Sequence, residues 1–511
     1  MNASLPRLLM VGPRALTWAE VVEIARGGAY PTLDPDPGYR DCLRRGVALV
    51  KERIEAGDAI YGVTTGFGDS WNTSIDPTLA HALQRNLVRY HGCGVGPWLD
   101  ETASAAIVAS RLVSLARGYS GVRPELLEGL CALLRHRILP RIPSRGSVGA
   151  SGDLTPLSYV AAALVGERDV IVNGELREAR VALADAGLEP LMLGPKEALA
   201  IMNGTSAMTG LGCLALDRAR RVARWAAALT AVFIDVTRGN PAHVHPRIHE
   251  LKPHPGQGRS AAWIREDLDF EQREGAGGVR LQDRYALRCA PHVLGVLVDA
   301  ATLAESVLDI ELESVDDNPL VDIESGTLHC GGNFYGGHIA MAGDALKTAV
   351  ANVAGLLDRQ IVLACVPQTS GDLPANLVFG RDAASHHGFK GMQITASALA
   401  AEALKLCMPA SVFSRSTESH NQDVVSMGMH AMLDCRQILE LTETVAAVAT
   451  LVACQAVDLR GPDACGPRAR RLHAAVREWV EVVETDRAMD RDVETVLAHY
   501  HAGDLPVGAY T

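Results

Sequence analysis

The stretch Gln437–Val457, QILELTETVAAVATLVACQAV, carries the pattern that decides the fold. Its apolar residues repeat at steps of three and four, at Ile438, Leu441, Val445, Val448 and Val452. This is the spacing of a helix that packs in a bundle. Alanine and other apolar residues fill most of the remaining positions, so burial on most sides is expected. The stretch therefore predicts a long core helix, which we extend from about Gln422 to Leu459.

Four more stretches have a helical pattern, at about Thr205–Arg238, Asp283–Glu313, Gly337–Cys365 and Phe389–Leu406. The first ~200 residues instead mix short segments with many Gly and Pro turns. We therefore predict a mainly α fold, a long-helix bundle, with an N-terminal domain at residues 1–200 and a bundle of long central and C-terminal helices at 201–511. Helices this apolar are more than one chain can cover, so a homo-oligomer is expected.

Charge and composition limit the partners and the location. The 511 residues carry a net charge of −12 and no Lys/Arg run, which disfavours nucleic acid and an anionic membrane surface. The longest apolar run, roughly Val445 to Val457, is too short to cross a bilayer. The N-terminus lacks the pattern of a signal peptide, and the 11 cysteines form no C-x-x-C pair. A soluble cytoplasmic protein with reduced thiols is expected.

The stretch Gly146–Leu157, GSVGASGDLTPL, allows two interpretations. One is an ordinary turn before a helix, with Pro156 in the first helical turn. The other is a backbone that reacts with itself at Ala150-Ser151-Gly152. The Gly152 amide nitrogen would attack the Ala150 carbonyl, since glycine has no Cβ to block the approach. Loss of two water molecules, one of them from Ser151, would leave an electrophilic imidazolone with an exocyclic methylene.

Seven further motifs bear on this choice: Tyr61–Gly68, Gln84–Gly96, Ala198–Ser206, Gln282–Cys289, Asp317–Pro319, Gly332–Phe334 and Asn421–Met427. Together with Ala150-Ser151-Gly152, they resemble the aromatic amino acid lyase family, which holds histidine, phenylalanine and tyrosine ammonia-lyases and 2,3-aminomutases. The resemblance runs from about residue 15 to about 480. It implies a homotetramer with active sites built from several subunits. It also implies a 4-methylidene-imidazol-5-one formed autocatalytically from Ala150-Ser151-Gly152, with no metal or pyridoxal phosphate.

The resemblance also implies roles for single residues. Tyr61 would be the base for the β-proton, provided that a positive field from helix N-termini lowers its pKa from about 10. Asn203 would hold the electrophile and the head group of the substrate, although it could also be a helix N-cap before Thr205. Tyr285 and Arg288 share one helix face, and the family places this pair in the active site of a neighbouring subunit. Arg288 would bind the substrate carboxylate.

The remaining predicted site residues bind substrate. Phe334 matches an aromatic residue beside the electrophile, and Gln422 matches a polar residue near the head group. Asn421, next to Gln422, and Gly68, at the end of the Tyr61–Gly68 motif, are further candidates for binding substrate. Asn421-Gln422 could also simply begin the long helix. Mobile segments such as Pro255–Arg280, with its Gly275-Ala276-Gly277-Gly278, would close the site.

Tyr90-His91 occupies the positions that select the aromatic ring. His91 could bond to a phenol hydroxyl, which favours tyrosine over phenylalanine. Histidine lyases typically read Asn-Gln-Glu-Asp-His-Val-Ser-Met where this chain has His420–Met427, so their Glu falls on Gln422 and their His on Val424. The predicted activity is therefore a tyrosine ammonia-lyase that forms p-coumarate and possesses some activity towards phenylalanine. The first alternative is a tyrosine or phenylalanine 2,3-aminomutase, since both reactions use the same residues.

A metal enzyme, a histidine lyase and a non-catalytic protein have less support in the sequence. Four histidines, His243, His245, His249 and His254, crowd one segment, but prolines separate them and no H-E-x-x-H motif is present. A histidine ammonia-lyase is disfavoured by Gln422 and Val424. A non-catalytic scaffold relative would keep an intact Ser151 hydroxyl.

Overall fold

The computed structural model describes residues 6–273, 277–380 and 384–510. About 59% of the chain is helical and 8% is in strands, which confirms the mainly α prediction. The α-helices are α1 (Trp18–Ala25), α2 (Pro37–Glu55), α3 (Ala80–Tyr90), α4 (Glu101–Ala116), α5 (Pro124–Arg135), α6 (Leu154–Leu164), α7 (Ala179–Asp185), α8 (Glu197–Met202), α9 (Ser206–Val236), α10 (Pro246–Glu250), α11 (Pro255–Leu268), α12 (Phe270–Arg273), α13 (Tyr285–Arg288), α14 (Ala290–Glu313), α15 (Gly337–Cys365), α16 (Lys390–Lys405), α17 (Gly428–Arg460), α18 (Pro467–Arg477) and α19 (Asp490–Ala502).

The strands are short and lie between helices. They are β1 (Arg7–Val11), β2 (Ala29–Leu33), β3 (Val95–Trp98), β4 (Leu139–Pro140), β5 (Pro143–Arg145), β6 (Asp169–Val172), β7 (Glu175–Glu178), β8 (Leu320–Asp322) and β9 (Thr327–His329). β1 pairs in parallel with β2, whereas β3–β5, β4–β6–β7 and β8–β9 are antiparallel. These small sheets fasten loops and do not form a layer of their own.

The long helices follow the predicted pattern closely, with three differences, the first being that the helix predicted at Asp283–Glu313 is divided at Cys289 into α13 and α14. α15 has the predicted bounds, and in α17 Ile438, Val445, Val448 and Val452 are fully buried while Leu441 is half-buried. However, α17 begins at Gly428, so the predicted start at Gln422 is wrong. The predicted mobile segment Pro255–Arg280 is also wrong where α11 forms, and its Gly275 and Ala276 lie outside the described residues.

The chain forms two compact units that are interleaved along the sequence. The first consists of Met1–Asp217, Ala304–Asp344 and Pro409–Leu433, and the second of Arg218–Leu303, Ala345–Met408 and Asp434–Thr511. The domains predicted from the sequence, 1–200 and 201–511, are instead two continuous ranges. That division stays a prediction.

In the first unit, α4 is buried all round. Asp100 caps it by accepting a hydrogen bond from the Ala103 N–H at 2.8 Å, and every residue from 103 to 116 is buried. A helix that is apolar on all sides belongs in a core. Arg111 lies in the middle of this helix and is fully buried, so its charge depends on protein partners.

In the second unit, a buried carboxylate joins distant segments. Asp267 accepts hydrogen bonds from Arg224 at 2.7 and 2.9 Å and from Arg468 at 2.7 Å. The Asp267 side chain is fully buried. Such a cluster is stable only while its charges stay paired.

Within the described ranges, two helices, α15 and α17, are long and apolar enough to cross a membrane. Of their most apolar windows, 72% and 78% respectively are buried inside the protein. Burial of this extent is typical of core helices.

Candidate active site

The turn that holds Ala150-Ser151-Gly152 has a left-handed backbone. The φ angles are 81° at Gly149, 50° at Ser151 and 77° at Gly152, and a positive φ at Ser151 is costly for a residue with a Cβ. A Cβ on Gly152 would lie 2.1 Å from the Gly204 carbonyl oxygen, so only glycine fits. Among the described residues, the Gly152 N–H forms no hydrogen bond. The turn therefore leaves the Gly152 nitrogen without a hydrogen bond, which fits its predicted role as nucleophile.

The turn borders a cavity of about 900 Å³ in the first unit. The cavity brings together nine of the predicted site residues, namely Tyr61, Gly68, Tyr90, His91, Ser151, Asn203, Phe334, Asn421 and Gln422. Ala150 and Gly152 flank Ser151 in the chain but do not line the cavity themselves. Apolar side chains that were not among the predicted site residues complete the wall, among them Ile75, Leu83, Leu87, Leu154 and Leu199. A cavity with this lining suits a small aromatic ligand with a polar head group.

Tyr61 is held by a loop that folds back on its hydroxyl group. The Gly68 N–H donates to the Tyr61 phenol oxygen at 2.8 Å, which stabilises a phenolate. Burial nevertheless raises the pKa of Tyr61 above its ordinary value, and the Glu418 carboxylate raises it further. The predicted lowering of this pKa is therefore wrong for the chain on its own.

Three helices begin next to the turn, but burial and Glu418 still raise the pKa of Tyr61. α6 begins directly after the turn, and the Met208 N–H in the first turn of α9 donates to Asp153 at 2.8 Å. The Met427 N–H, at the start of α17, donates to the Val148 carbonyl at 3.0 Å. Asp153 is fully buried, and burial raises its pKa to about 7, with a further contribution from Asp316.

His91 ends α3 with a defined proton position. Its Nδ1 lies 3.1 Å from the Leu87 carbonyl oxygen, and because a carbonyl only accepts, Nδ1 must carry the proton. Burial lowers the pKa of His91, so the ring is neutral near pH 7. Nε2 is then a hydrogen-bond acceptor. The Tyr90 ring lies beside it, with 4.4 Å between the ring centroids.

Asn203 offers an unpaired acceptor at the cavity. Its Nδ2 donates to the Asn318 carbonyl at 2.9 Å, while its Oδ1 is buried and has no partner among the described residues. Asn203 ends α8, and its amide turns to Asn318, so the N-cap interpretation before Thr205 is wrong. A buried oxygen without a partner at a cavity wall indicates that a ligand donates to it.

A tight turn over residues 417–422 carries two polar groups of the cavity. Thr417 and Gln422 pair as an antiparallel bridge, and Gln422 Nε2 donates to Ser151 Oγ at 3.1 Å. Glu418, which the sequence motifs did not identify, accepts from the Asp69 N–H at 3.0 Å and also lines the cavity. The interpretation that Asn421-Gln422 begins the long helix is wrong, because this turn precedes it.

Tyr285 and Arg288 belong to the second unit and do not line this cavity. They lie on one helical turn, as predicted, with the guanidinium 4.8 Å from the centre of the Tyr285 ring. Tyr285 is 70% exposed. Arg288 donates to Gln282 at 3.1 Å, but its Nε has no partner among the described residues. Tyr285 is thus exposed, while the half-buried Arg288 keeps an unused hydrogen-bond donor.

The histidine-rich segment has its own partners within the second unit. His243 Nε2 accepts from the Asp283 N–H at 3.0 Å, and His249 Nδ1 lies 3.0 Å from the Gln257 amide nitrogen. In the described part of the chain, no three His, Cys, Asp or Glu side chains are grouped to hold a metal ion.

Comparisons with known proteins match nearly the whole chain. Residues 16–478 match the family model for aromatic amino acid lyase. The histidine ammonia-lyase of Gloeobacter violaceus is 39% identical over 489 residues, which cover 95% of this chain and 94% of that protein. The tyrosine ammonia-lyase of Cereibacter sphaeroides is 39% identical over 497 residues, 93% and 94% of the two chains. The solved tyrosine aminomutase from Streptomyces globisporus has a TM-score of 0.91 at 37% identity and covers 98% of this chain and 97% of its own.

Proposed function

The chain belongs to the aromatic amino acid lyase family, and we propose that it is an ammonia-lyase whose first substrate is L-tyrosine. The products are p-coumarate and ammonia, and phenylalanine is a weaker substrate. The observation that carries the proposal is the turn at the cavity wall. Ser151 faces the cavity there, and Gly152 is packed where no side chain fits.

Enzymes of this family depend on 4-methylidene-imidazol-5-one and need neither a metal nor pyridoxal phosphate. We assign the group in this chain to Ala150-Ser151-Gly152. The Gly152 nitrogen forms a bond to the Ala150 carbonyl carbon, and the carbonyl oxygen leaves as water with the amide protons of Gly152 and Ser151. Ser151 then loses its hydroxyl and its α-proton as a second water. The finished group supplies an electrophile for the substrate amine, which improves the leaving group.

Tyr61 takes the β-proton as a phenolate. The Gly68 N–H stabilises that anion, while burial and Glu418 oppose its formation. Because the base must be ionised, activity rises with pH as the phenol loses its proton.

Different polar groups of the cavity bind the ammonium and the carboxylate of the substrate. Asn203 Oδ1 needs a donor, and the substrate ammonium provides one beside the negative Glu418. Gln422 Nε2 loses its partner when Ser151 Oγ departs, which leaves a donor for the carboxylate.

Arg288 and Tyr285 act in the cavity of another copy of the chain. The exposure of Tyr285 and the buried, unpaired Nε of Arg288 support this arrangement, and a guanidinium binds a carboxylate through two parallel hydrogen bonds. The functional form is then the homotetramer that the family resemblance implies.

His91 favours tyrosine among the aromatic substrates. Its neutral Nε2 accepts from the phenol hydroxyl, whereas phenylalanine leaves this nitrogen unpaired. Several similar relatives are histidine ammonia-lyases, so overall identity does not separate the substrates. Gln422 and Val424, at the positions where histidine lyases typically have Glu and His, favour a phenolic ring here.

The second candidate is a tyrosine or phenylalanine 2,3-aminomutase. The likeness to the Streptomyces globisporus tyrosine aminomutase supports it. In that case the arylacrylate stays bound until ammonia returns to the β-carbon. A histidine ammonia-lyase and a non-catalytic relative have less support.

The net charge of −12 supports a small-molecule substrate and disfavours nucleic acid and membrane as partners. The cytoplasmic location stays a prediction.

The test combines product analysis with intact mass. Purified protein is incubated with tyrosine, phenylalanine or histidine without added cofactor, and arylacrylate and β-amino acid are separated by chromatography. We expect p-coumarate from tyrosine and a mass lower than the sequence value by two water molecules. Ser151→Ala should keep the fold and the full mass and lose turnover. Release of β-amino acid alone overturns the lyase assignment, and turnover of histidine alone overturns the substrate.

A further inference from the structure

Gly204 is bonded to both neighbours of Gly152 in the turn. The Gly204 N–H donates to the Ser151 carbonyl at 3.2 Å, and the Asp153 N–H donates to the Gly204 carbonyl at 2.7 Å. These two bonds form a parallel bridge between Gly152 and Gly204. They determine how the Ser151–Gly152 peptide is oriented, and therefore where the Gly152 nitrogen points.

A buried ion pair supports Gly204 from the other side. A Cβ on Gly204 would lie 2.0 Å from Arg111 Nη1 and 2.8 Å from the Asp316 carboxyl carbon. Arg111 and Asp316 form a 2.9 Å ion pair and are 0% and 3% exposed. Gly204 is therefore packed between this pair and the turn, with no space on either side.

The same pair also bonds to both residues next to Gly204. Arg111 Nη1 donates to the Asn203 carbonyl at 3.3 Å. Asp316 Oδ2 accepts from the Thr205 N–H at 2.8 Å and from the Thr205 hydroxyl at 2.9 Å. Three consecutive residues are thus fixed against the turn by one guanidinium and one carboxylate.

We propose that Arg111 and Asp316 are a positioning pair for cyclisation, which press Gly204 against the turn and so bring the Gly152 nitrogen to the Ala150 carbonyl. The inference rests on the proposed function, because it concerns how the electrophile forms. Ser151 and Gly152 have left-handed φ angles that an unsupported chain leaves for an extended backbone. An extended backbone separates the nitrogen from the carbonyl, so losing the support slows ring closure.

The pair does not touch the cavity. Neither Arg111 nor Asp316 lines it, so the two residues do not contact the bound substrate, and Arg111 reaches Asn203 only at its backbone carbonyl. A finished ring no longer needs the support, because its bonds are covalent. This separates a positioning role from a catalytic one.

The experiment measures cyclised fraction and turnover separately. Asp316→Asn keeps the shape of the side chain and removes the charge. Arg111→Met combined with Asp316→Leu removes both charges together, which avoids leaving one buried charge alone. Asp267→Asn is the matched control, since it breaks an equally buried Arg–Asp cluster that makes no hydrogen bond to the turn. Folded protein is isolated by gel filtration, and intact mass gives the fraction that lacks two water molecules.

In wild type and in Asp267→Asn we expect essentially complete cyclisation. In Asp316→Asn and in the double variant the cyclised fraction at a fixed time after synthesis should fall at least fivefold. The kcat per cyclised site should stay within about twofold of wild type. Complete cyclisation of both variants at the wild-type rate would overturn the positioning role. An equal loss in Asp267→Asn would also overturn it, because the effect would then follow stability alone. A wild type with no mass deficit overturns the proposed function itself.

Discussion

Replacing His91 with leucine should reduce the preference for tyrosine over phenylalanine. His91 Nδ1 donates to Leu87, and the neutral ring leaves Nε2 as an acceptor in the cavity. Leucine offers no acceptor, so the phenol hydroxyl of tyrosine would be buried against an apolar side chain. Phenylalanine has no hydroxyl, so its apolar ring would pack well against the leucine side chain.

The magnitude follows from the cost of an unpaired buried hydroxyl, which is about 1–3 kcal/mol. This corresponds to a change of about 5- to 150-fold in relative kcat/KM. Tyr90, next to His91, is 55% exposed, so water reaches this end of the cavity and the lower part of the range applies. We expect the ratio of kcat/KM for tyrosine to that for phenylalanine to fall about tenfold.

The assay compares both substrates in four proteins by initial rates of arylacrylate release. His91→Gln keeps an acceptor and should retain most of the tyrosine preference. His81→Leu is the matched control, since His81 lies in α3, which His91 directly follows, and bonds to the Leu193 carbonyl at 2.9 Å but does not line the cavity. If His91→Leu lowers both rates equally, or changes the ratio less than twofold, the assignment of His91 to the phenol is refuted.

Three further changes test other parts of the structure. Gly152→Ala places a methyl group 2.1 Å from a carbonyl oxygen, so intact mass should show no loss of water and kcat should fall by about 10³ or more. Glu418→Gln removes a negative charge that raises the pKa of Tyr61, so that pKa falls and the rising limb of the kcat/KM profile should move to lower pH. Asp267→Asn leaves two buried guanidinium groups without their carboxylate and should cost about 3–5 kcal/mol in urea unfolding.

Each of these three changes has a control variant or an outcome that would contradict its stated reason. Glu418→Asp keeps the charge, so a pH profile that shifts equally in Glu418→Asp contradicts the electrostatic reason. Glu250→Gln breaks an exposed pair with Arg247 and should change the unfolding free energy by less than about 1 kcal/mol. A Gly152→Ala protein with the mass deficit would contradict the steric reason given for glycine at this position.

Periodicity predicts the long helices well because a helix in a core must repeat its apolar residues. α15 begins and ends where the pattern does, and α9 is one to two residues shorter than predicted at its ends. The start of α17 could not be predicted in the same way. Glu418, Ser419 and His420 all have a left-handed φ, and none is glycine, so the sequence contains no signal for the turn.

Cavity residues that belong to a sequence motif could be predicted. Residues that reach the cavity only because the chain folds were missed. Glu418 resembles any exposed acid in the sequence, and its effect on Tyr61 arises from contact between segments almost 350 residues apart. The sign of the Tyr61 pKa shift depends on that contact and on burial. Arg111 and Asp316 are likewise ordinary residues until α4 and the segment after α14 meet at Gly204.

The proposal that Tyr285 and Arg288 act in the cavity of another chain has a genetic consequence. If each cavity borrows this pair from another chain, two dead alleles can rescue one another. Co-expressed Ser151→Ala and Arg288→Met chains that assemble at random would leave about a quarter of the sites with both residues intact. The same two changes carried on a single chain would leave none.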